Sequence, residues 1–469
     1  MKFFVPVCLI VLALTLSLPA KAKIRLPALI GPNMVLQQRT QTTLWGWARA
    51  NSRVKVTTSW DRKTYTVKAD TQGKWRATVT TPAAGGPHTL VFNDGEELRI
   101  GNVLVGEVWV CSGQSNMGMP MRGFNSQPIL NGNALIAASG NPALRLFSVS
   151  QASSLTPEAD CKGQWEQATP AAVREFSAVA YQFGQLLQQQ LKVPVGLVLS
   201  AVGGTRIQSW MSAPSLRAFP EVHVPTSLDT VKAPHKEATT LFNGMIAPLV
   251  SYGIRGFIWY QGESNRHEPV LYETLFPAMV SDWRQQWRQG ELPFYYVQIA
   301  PFGSTDKTRN GPRLREAQLR SMAVIPNAGM VSVMDVGMEK YIHFMDKTTP
   351  AQRLLYWALA KTYGINGIMC SGPVFKALTV TGSKAMLTFD YADYGLTSFG
   401  KPLTLFEIAG ADKVFYPATA TIKSGSIEVE SERVLTPVAV RYAYKEFVVG
   451  DLFNNDGLPA SSFRTDTWD

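Results

Sequence analysis

Val108-Trp109-Val110-Cys111-Ser112-Gly113-Gln114-Ser115-Asn116-Met117 starts as a short apolar run and ends as a string of small and polar residues. An unbroken apolar run of this length, rich in β-branched and aromatic residues, reads as a strand covered on both faces, as in a parallel sheet. The glycine directly after the run permits a tight turn, which carries Ser115 out of the strand with its hydroxyl exposed. That placement suits a nucleophile, because the same turn aims the serine's own backbone N–H at a developing oxyanion. Taken alone, a G-x-S triplet is more often a plain turn.

Four further apolar runs of the same kind follow: Val195 to Ala201, Gly256 to Tyr260, Phe294 to Ala300 and Gly329 to Asp335. Between and after them, apolar residues recur at helical spacing in Glu175 to Leu191, Phe276 to Trp287, Arg313 to Ile325 and Pro350 to Tyr363. Strands alternating with helices predict an α/β domain with a parallel sheet over residues 103–370. Before it, residues 23–102 carry short β-rich runs broken by turn signals, such as Val54-Lys55-Val56 and Trp75 to Val79, and predict a β-sandwich-like module. After it, residues 371–469 return to β alternation in Met386 to Phe389 and Val438 to Val440, which predicts a C-terminal β-rich module.

Composition agrees with several packed domains. The chain has 469 residues, 45% hydrophobic and only 17% charged, which excludes a disordered protein. Residues 1–22 stand apart: Lys2, an apolar run from Phe3 to Leu18, and Ala20-Lys21-Ala22 read as a cleavable signal peptide. The expected protein is therefore secreted or periplasmic, and the run is too short for membrane insertion. Cleavage removes two lysines and no acid, taking the formal charge from +10 to +8. Lys and Arg are spread along the chain without a basic run, so nucleic acid is not an expected partner. Cys111, Cys161 and Cys370 remain; one disulfide is permitted, with no spacing for structural zinc.

In an open parallel sheet the ligand site forms beyond the carboxyl ends of the strands. After the second run come Gly203-Gly204-Thr205-Arg206, where glycines let backbone N–H groups approach a ligand. After the third come Gln261-Gly262-Glu263-Ser264-Asn265, too polar a tip to be packing alone. Gln261 or Asn265 can donate a side-chain hydrogen bond to an oxyanion, and Glu263 can orient a histidine. A serine nucleophile needs a base, and there are five histidines. His88 lies in the first β module, and His223 and His235 lie in a long connection. His343 follows the fifth run by a short loop and is the favoured base, with His267 in reserve.

Gly113-Gln114-Ser115-Asn116-Met117, Gly203-Gly204-Thr205, Gln261 to Asn265 and Ile342-His343 resemble, in order, the signature blocks of the SGNH-type carbohydrate acetylesterases, and of the sialate O-acetylesterases among them. Pro32 to Gln37, Asn243 to Pro248 and Gly457 to Arg464 extend the resemblance over nearly all of the mature chain. It implies a flavodoxin-like α/β/α SGNH hydrolase domain flanked by β modules, removing acetyl groups from an acetylated sugar or glycan without metal or organic cofactor. Carried over by position, Ser115 is the nucleophile, His343 the base, and Ser115 N–H, Gly204 and Gln261 or Asn265 the oxyanion donors.

One position departs from the pattern. The acid commonly found three residues before the histidine is Lys340 here. Glu263 ranks first as its substitute, Asp335 second and Glu339 third, and a Ser115–His343 dyad is the alternative to all three. Arg206, at the edge of the same site, can pair with a substrate carboxylate, which sialic acid has and xylan lacks. The rival readings are an esterase for acetylated xylan and a carbohydrate-binding protein with a decayed esterase core. Trp210 and Tyr260 read as core.

Overall fold

A computed structural model of the chain describes residues 23–306 and 308–468. The expected signal peptide lies outside the described residues. The domain that carries the site is built on one long strand, β1 (Glu97–Gly113). Its first half pairs antiparallel with Gly85–Asn93 of the N-terminal β module. Its second half is buried throughout and forms the spine of the α/β sheet. The boundary expected after Asn102 therefore falls inside a single strand.

The other strands of this sheet are β2 (Asn141–Ser148), β3 (Trp165–Ala168), β4 (Val195–Ala201), β5 (Gly256–Tyr260), β6 (Phe294–Val297) and β7 (Ala328–Val331). Their spatial order is β7-β6-β5-β1-β4-β2-β3. All neighbours are parallel except the β2–β3 pair. The chain lays β2 and the edge strand β3 on one side of β1, returns to place β4 beside β1, and then crosses it to β5. This reversal makes the carboxyl end of β1 the place where a cleft opens. The expected α/β class with a parallel central sheet is borne out.

Two expectations need correction. β2 was not read from the sequence, because Arg145 interrupts its apolar run. The guanidinium is nonetheless buried, donating to the Pro142 carbonyl at 2.8 Å, Asn33 Oδ1 at 3.1 Å and Asn102 Oδ1 at 3.2 Å. The expected fourth and fifth runs end early: β6 stops at Val297 and β7 at Val331, and Asp335 lies in the following loop.

Helices α1 (Ser115–Gly118), α2 (Ala178–Leu191), α3 (Pro269–Trp287), α4 (Gly311–Val324) and α5 (Thr348–Trp357) cover the sheet. Ser177 caps α2 by accepting from the Ala180 N–H, and Asn310 caps α4 by accepting from the Arg313 N–H. One face packs Trp259, Phe257 and Phe294 against Trp283 and Trp287 of α3. The other packs Trp109 and Tyr295 against Phe183 of α2 and Trp357 of α5. Trp210 and Tyr260 are fully buried, as expected of core residues. Beyond α5 a separate core, including Leu387, Phe406, Tyr442 and Phe463, holds the C-terminal strands. Cys111, Cys161 and Cys370 are free thiols.

Gly113 is one of the tightest points of the frame. Its φ is +140°, and a Cβ there would sit 2.1 Å from the Tyr260 carbonyl oxygen of β5. The prediction is that Gly113→Ala destabilises the protein by about 2 kcal/mol or more. Urea unfolding followed by circular dichroism measures it; an unchanged midpoint would contradict the crowding.

Candidate active site

Beyond Gly113 the chain turns hard. Gln114 N–H donates to the Tyr260 carbonyl at 2.9 Å, and Val202 N–H donates to the Gly113 carbonyl at 3.1 Å. These bonds tie the tips of β1, β4 and β5 together, and Ser115 emerges where they meet. The Ser112 hydroxyl reinforces the junction by donating to the Ser200 carbonyl at 2.6 Å.

Ser115 Oγ lies 2.8 Å from His343 Nε2, and His343 Nδ1 lies 2.7 Å from Gln127 Oε1. With a carbonyl oxygen facing Nδ1, that nitrogen carries the proton and Nε2 is free to accept from the serine hydroxyl. Burial, and after it the Lys347 ammonium, holds the imidazole down to about 4. His343 is thus neutral at pH 7, the form a general base requires. Phe124 packs edge-on against the ring at 5.1 Å between centroids.

None of the three acids proposed for the histidine contacts it. Glu263 is buried below Ser115, where its Oε1 accepts from Asn116 Nδ2 at 2.5 Å. Asp335 forms a two-bond ion pair with Arg353, 2.7 Å for each bond. Glu339 is exposed and its side chain makes no hydrogen bond among the described residues. Gln127 occupies the orienting position instead. It sits in an irregular connection between α1 and β2, with no periodicity or motif to mark it.

The oxyanion donors also divide. Gly204, at φ +70°, lines the cleft beside Ser115, and neither residue's N–H has an acceptor among the described residues. Gln261 and Asn265 do not line it. Gln261 Nε2 donates to the Thr205 carbonyl at 3.0 Å and to Asn265 Oδ1 at 2.7 Å. Asn265 Nδ2 donates to Gln208 Oε1 and Glu268 Oε1. Both amides spend their donors bracing the glycine turn from behind, which corrects their expected role. Gln114 takes their place as a side chain at the cleft. Its Oε1 accepts from the N–H groups of Gly262 and Ser264 at 3.4 and 3.3 Å, which leaves its amide nitrogen for a ligand.

The cleft has a volume of about 820 Å³, room for a sugar with its substituents. Arg206, Lys236, Arg266 and Arg309 line it. Arg309 is paired with Asp306 at 2.9 Å, and Arg266 reaches Glu446 of the C-terminal module at 3.9 Å. Arg206 and Lys236 have no carboxylate partner among the described residues, and they flank Gly204. Lys236 comes from the long connection before β5 and was not marked by any motif. His267 lines the cleft but does not bond Ser115, which leaves His343 alone as the base candidate.

A serine and a neutral histidine in contact at the mouth of a parallel sheet, with free backbone N–H groups beside them, are the arrangement that acyl transfer in an α/β hydrolase requires. The comparisons with known proteins narrow that class. Residues 105–364 match the model of the family described as carbohydrate esterase, sialic acid-specific acetylesterase. The sialate O-acetylesterase of Homo sapiens is 31% identical over 491 residues, covering 94% of this chain and 92% of that protein. The sialate O-acetylesterase of Rattus norvegicus is 30% identical, covering 78% and 79%. A crystal structure of a carbohydrate acetylesterase from Xanthomonas citri superposes with a TM-score of 0.88 at 38% identity, covering 95% of this chain and all of that one. The chain belongs to the sialic acid-specific acetylesterase family of carbohydrate esterases.

The geometry predicts how Ser115 responds to acid. Neutral His343 is present above about pH 4 and lost as pH falls through that value. Labelling of Ser115 by a fluorophosphonate should keep its rate down to about pH 5 and halve near pH 4. A midpoint near pH 6.5, the ordinary imidazole value, would contradict the burial argument.

Proposed function

We propose that the protein removes O-acetyl groups from sugars, sialic acid first among them, through an acetyl-Ser115 intermediate. The observation that carries the reading is the 2.8 Å contact between Ser115 Oγ and a neutral His343 Nε2. As Ser115 Oγ bonds to the acetyl carbonyl carbon, His343 Nε2 takes the hydroxyl proton. The carbonyl electrons move onto oxygen, where the N–H groups of Ser115 and Gly204 receive the charge. Collapse breaks the bond to the sugar oxygen, which leaves with the proton from His343. Water then attacks the acetyl-serine, again giving its proton to His343, and acetate departs as Ser115 regains that proton.

Gln127 fixes the tautomer throughout. As a neutral acceptor it offers the transient imidazolium a hydrogen bond but no opposite charge. Arg206 and Lys236 support an acidic sugar as substrate, since a carboxylate is the group that two neighbouring unpaired cations bind best. We also propose that the enzyme acts outside the cytoplasm, supported by the signal-peptide pattern of residues 1–22.

The test is acetate release from O-acetylated sialic acid and from acetylated xylan. Ser115→Ala and His343→Ala should each lower kcat by about a thousandfold or more. Arg206→Ala should raise KM for the sialic acid by about tenfold or more, and by less for xylan. Faster release from xylan than from the sialic acid would keep the mechanism and overturn the substrate. A Ser115→Ala enzyme as active as wild type would overturn the mechanism.

A further inference from the structure

Asn116 makes contacts that the proposed mechanism does not use. Its Nδ2 donates to Glu263 Oε1 at 2.5 Å and to the Ile342 carbonyl at 3.1 Å, and its Oδ1 accepts from Lys347 Nζ at 2.7 Å. Both amide hydrogens and the carbonyl oxygen are thus engaged. Ile342 precedes His343 and Lys347 follows it by four residues, so one side chain holds the His343 loop on both sides. That side chain belongs to the residue next to Ser115.

We infer that Asn116 is a positioning residue that pins the His343 loop at Ile342 and Lys347, with Glu263 as its buried anchor. The inference rests on the Ser115–His343 reading of the site. Asn116, Glu263 and Lys347 are all buried. Glu263 Oε2 has no hydrogen-bond partner, so the Asn116 bond is the one that holds this carboxylate among the described residues. Among the described residues Lys347 Nζ likewise hydrogen-bonds to Asn116 alone, and it lies 3.9 Å from the Phe344 ring centroid. A buried carboxyl and a buried amine joined through one amide form a strong tie, since releasing either leaves an unpartnered polar group in the interior.

Charge enters as well as geometry. Lys347 faces Glu263 and Asp346, with Asn116 between; His343 faces Ser115, Gln127, Phe124 and Lys347; Arg266 acts on Glu263 from the other side. Burial brings Lys347 down to about 7, against the pull of Glu263 and Asp346. Burial also pushes the Glu263 carboxyl above its usual range. Removing the Lys347 cation takes away one of the two causes that hold His343 low, so the imidazole must rise.

The experiment uses the full chain with p-nitrophenyl acetate, measuring kcat, KM and the pH profile of kcat/KM for Asn116→Ala and Lys347→Met. Asn116→Ala should lower kcat about tenfold or more with KM changed less than about threefold, the pattern of a displaced base. Lys347→Met should move the acid limb of the profile upward by about one pH unit, a shift that loss of packing alone does not produce. Circular dichroism checks folding; if Asn116→Ala does not fold, Lys347→Met carries the test. An Asn116→Ala enzyme within twofold of wild type, or a Lys347→Met limb that stays in place, overturns the inference. Ser115→Ala run in parallel separates the cases: if it remains active, the reading beneath the inference fails; if it is inactive while the two variants behave as wild type, the inference alone fails.

Discussion

At Gly113 the backbone of β1 passes so close to the Tyr260 carbonyl of β5 that no side chain fits between them. This contact brings three strand tips into one turn, where Gln114 bonds Tyr260 and Val202 bonds Gly113. Ser115 is placed by that turn. The glycine pair at 203–204 approaches from β4, and a Cβ on Gly203 would stand 3.4 Å from the Ser115 Cβ. The histidine approaches from the loop beyond β7. The site is a meeting of three elements around a backbone crossing that admits only glycine.

Among the described residues, no carboxylate bonds to the His343 ring. In a Ser-His-Asp arrangement the acid fixes the imidazole tautomer and also stabilises the imidazolium that forms. In the proposed mechanism Gln127 supplies the first function and not the second, while the Lys347 cation opposes protonation of the ring. The buried acid, Glu263, is separated from the ring and spends its charge on the Asn116–Lys347 side. This division accounts for Lys340 at the position where the family commonly has its acid: the orienting bond arrives from a different part of the chain. The outer cleft carries four cations, two of them without a carboxylate partner among the described residues, so its field favours an anionic substrate.

Much of this was legible in the residues. Val108 to Cys111, Val195 to Ala201 and Gly256 to Tyr260 are apolar enough to read as buried strands, and residues directly after them line the candidate site. Ser115, Gly204 and His343, marked that way, come together at one cleft in the fold, because strand tips and short loops keep sequence order and spatial order together. β2 was missed because Arg145 looks like a break until its three oxygen partners are seen. Gln127, Lys236 and Lys347 were missed for a related reason: they lie in irregular connections, and only the folded sheet brings them to the serine. Gln261 and Asn265 were placed at the right tip but given the wrong direction. The residue types are those of oxyanion donors, and which way an amide points is a tertiary fact, decided here by the Thr205 carbonyl and by Gln208 and Glu268.

The central claim is that the acetyl group passes through Ser115, and rapid-quench mass spectrometry observes this directly. The protein is mixed with O-acetylated sialic acid, quenched in acid during the first turnover, digested and mapped. The account predicts one acetyl group on the peptide containing Ser115, appearing before free acetate and vanishing as turnover completes. Acetate formed in that first turnover with no acetylated peptide, or an acetyl group on a different residue, would contradict it.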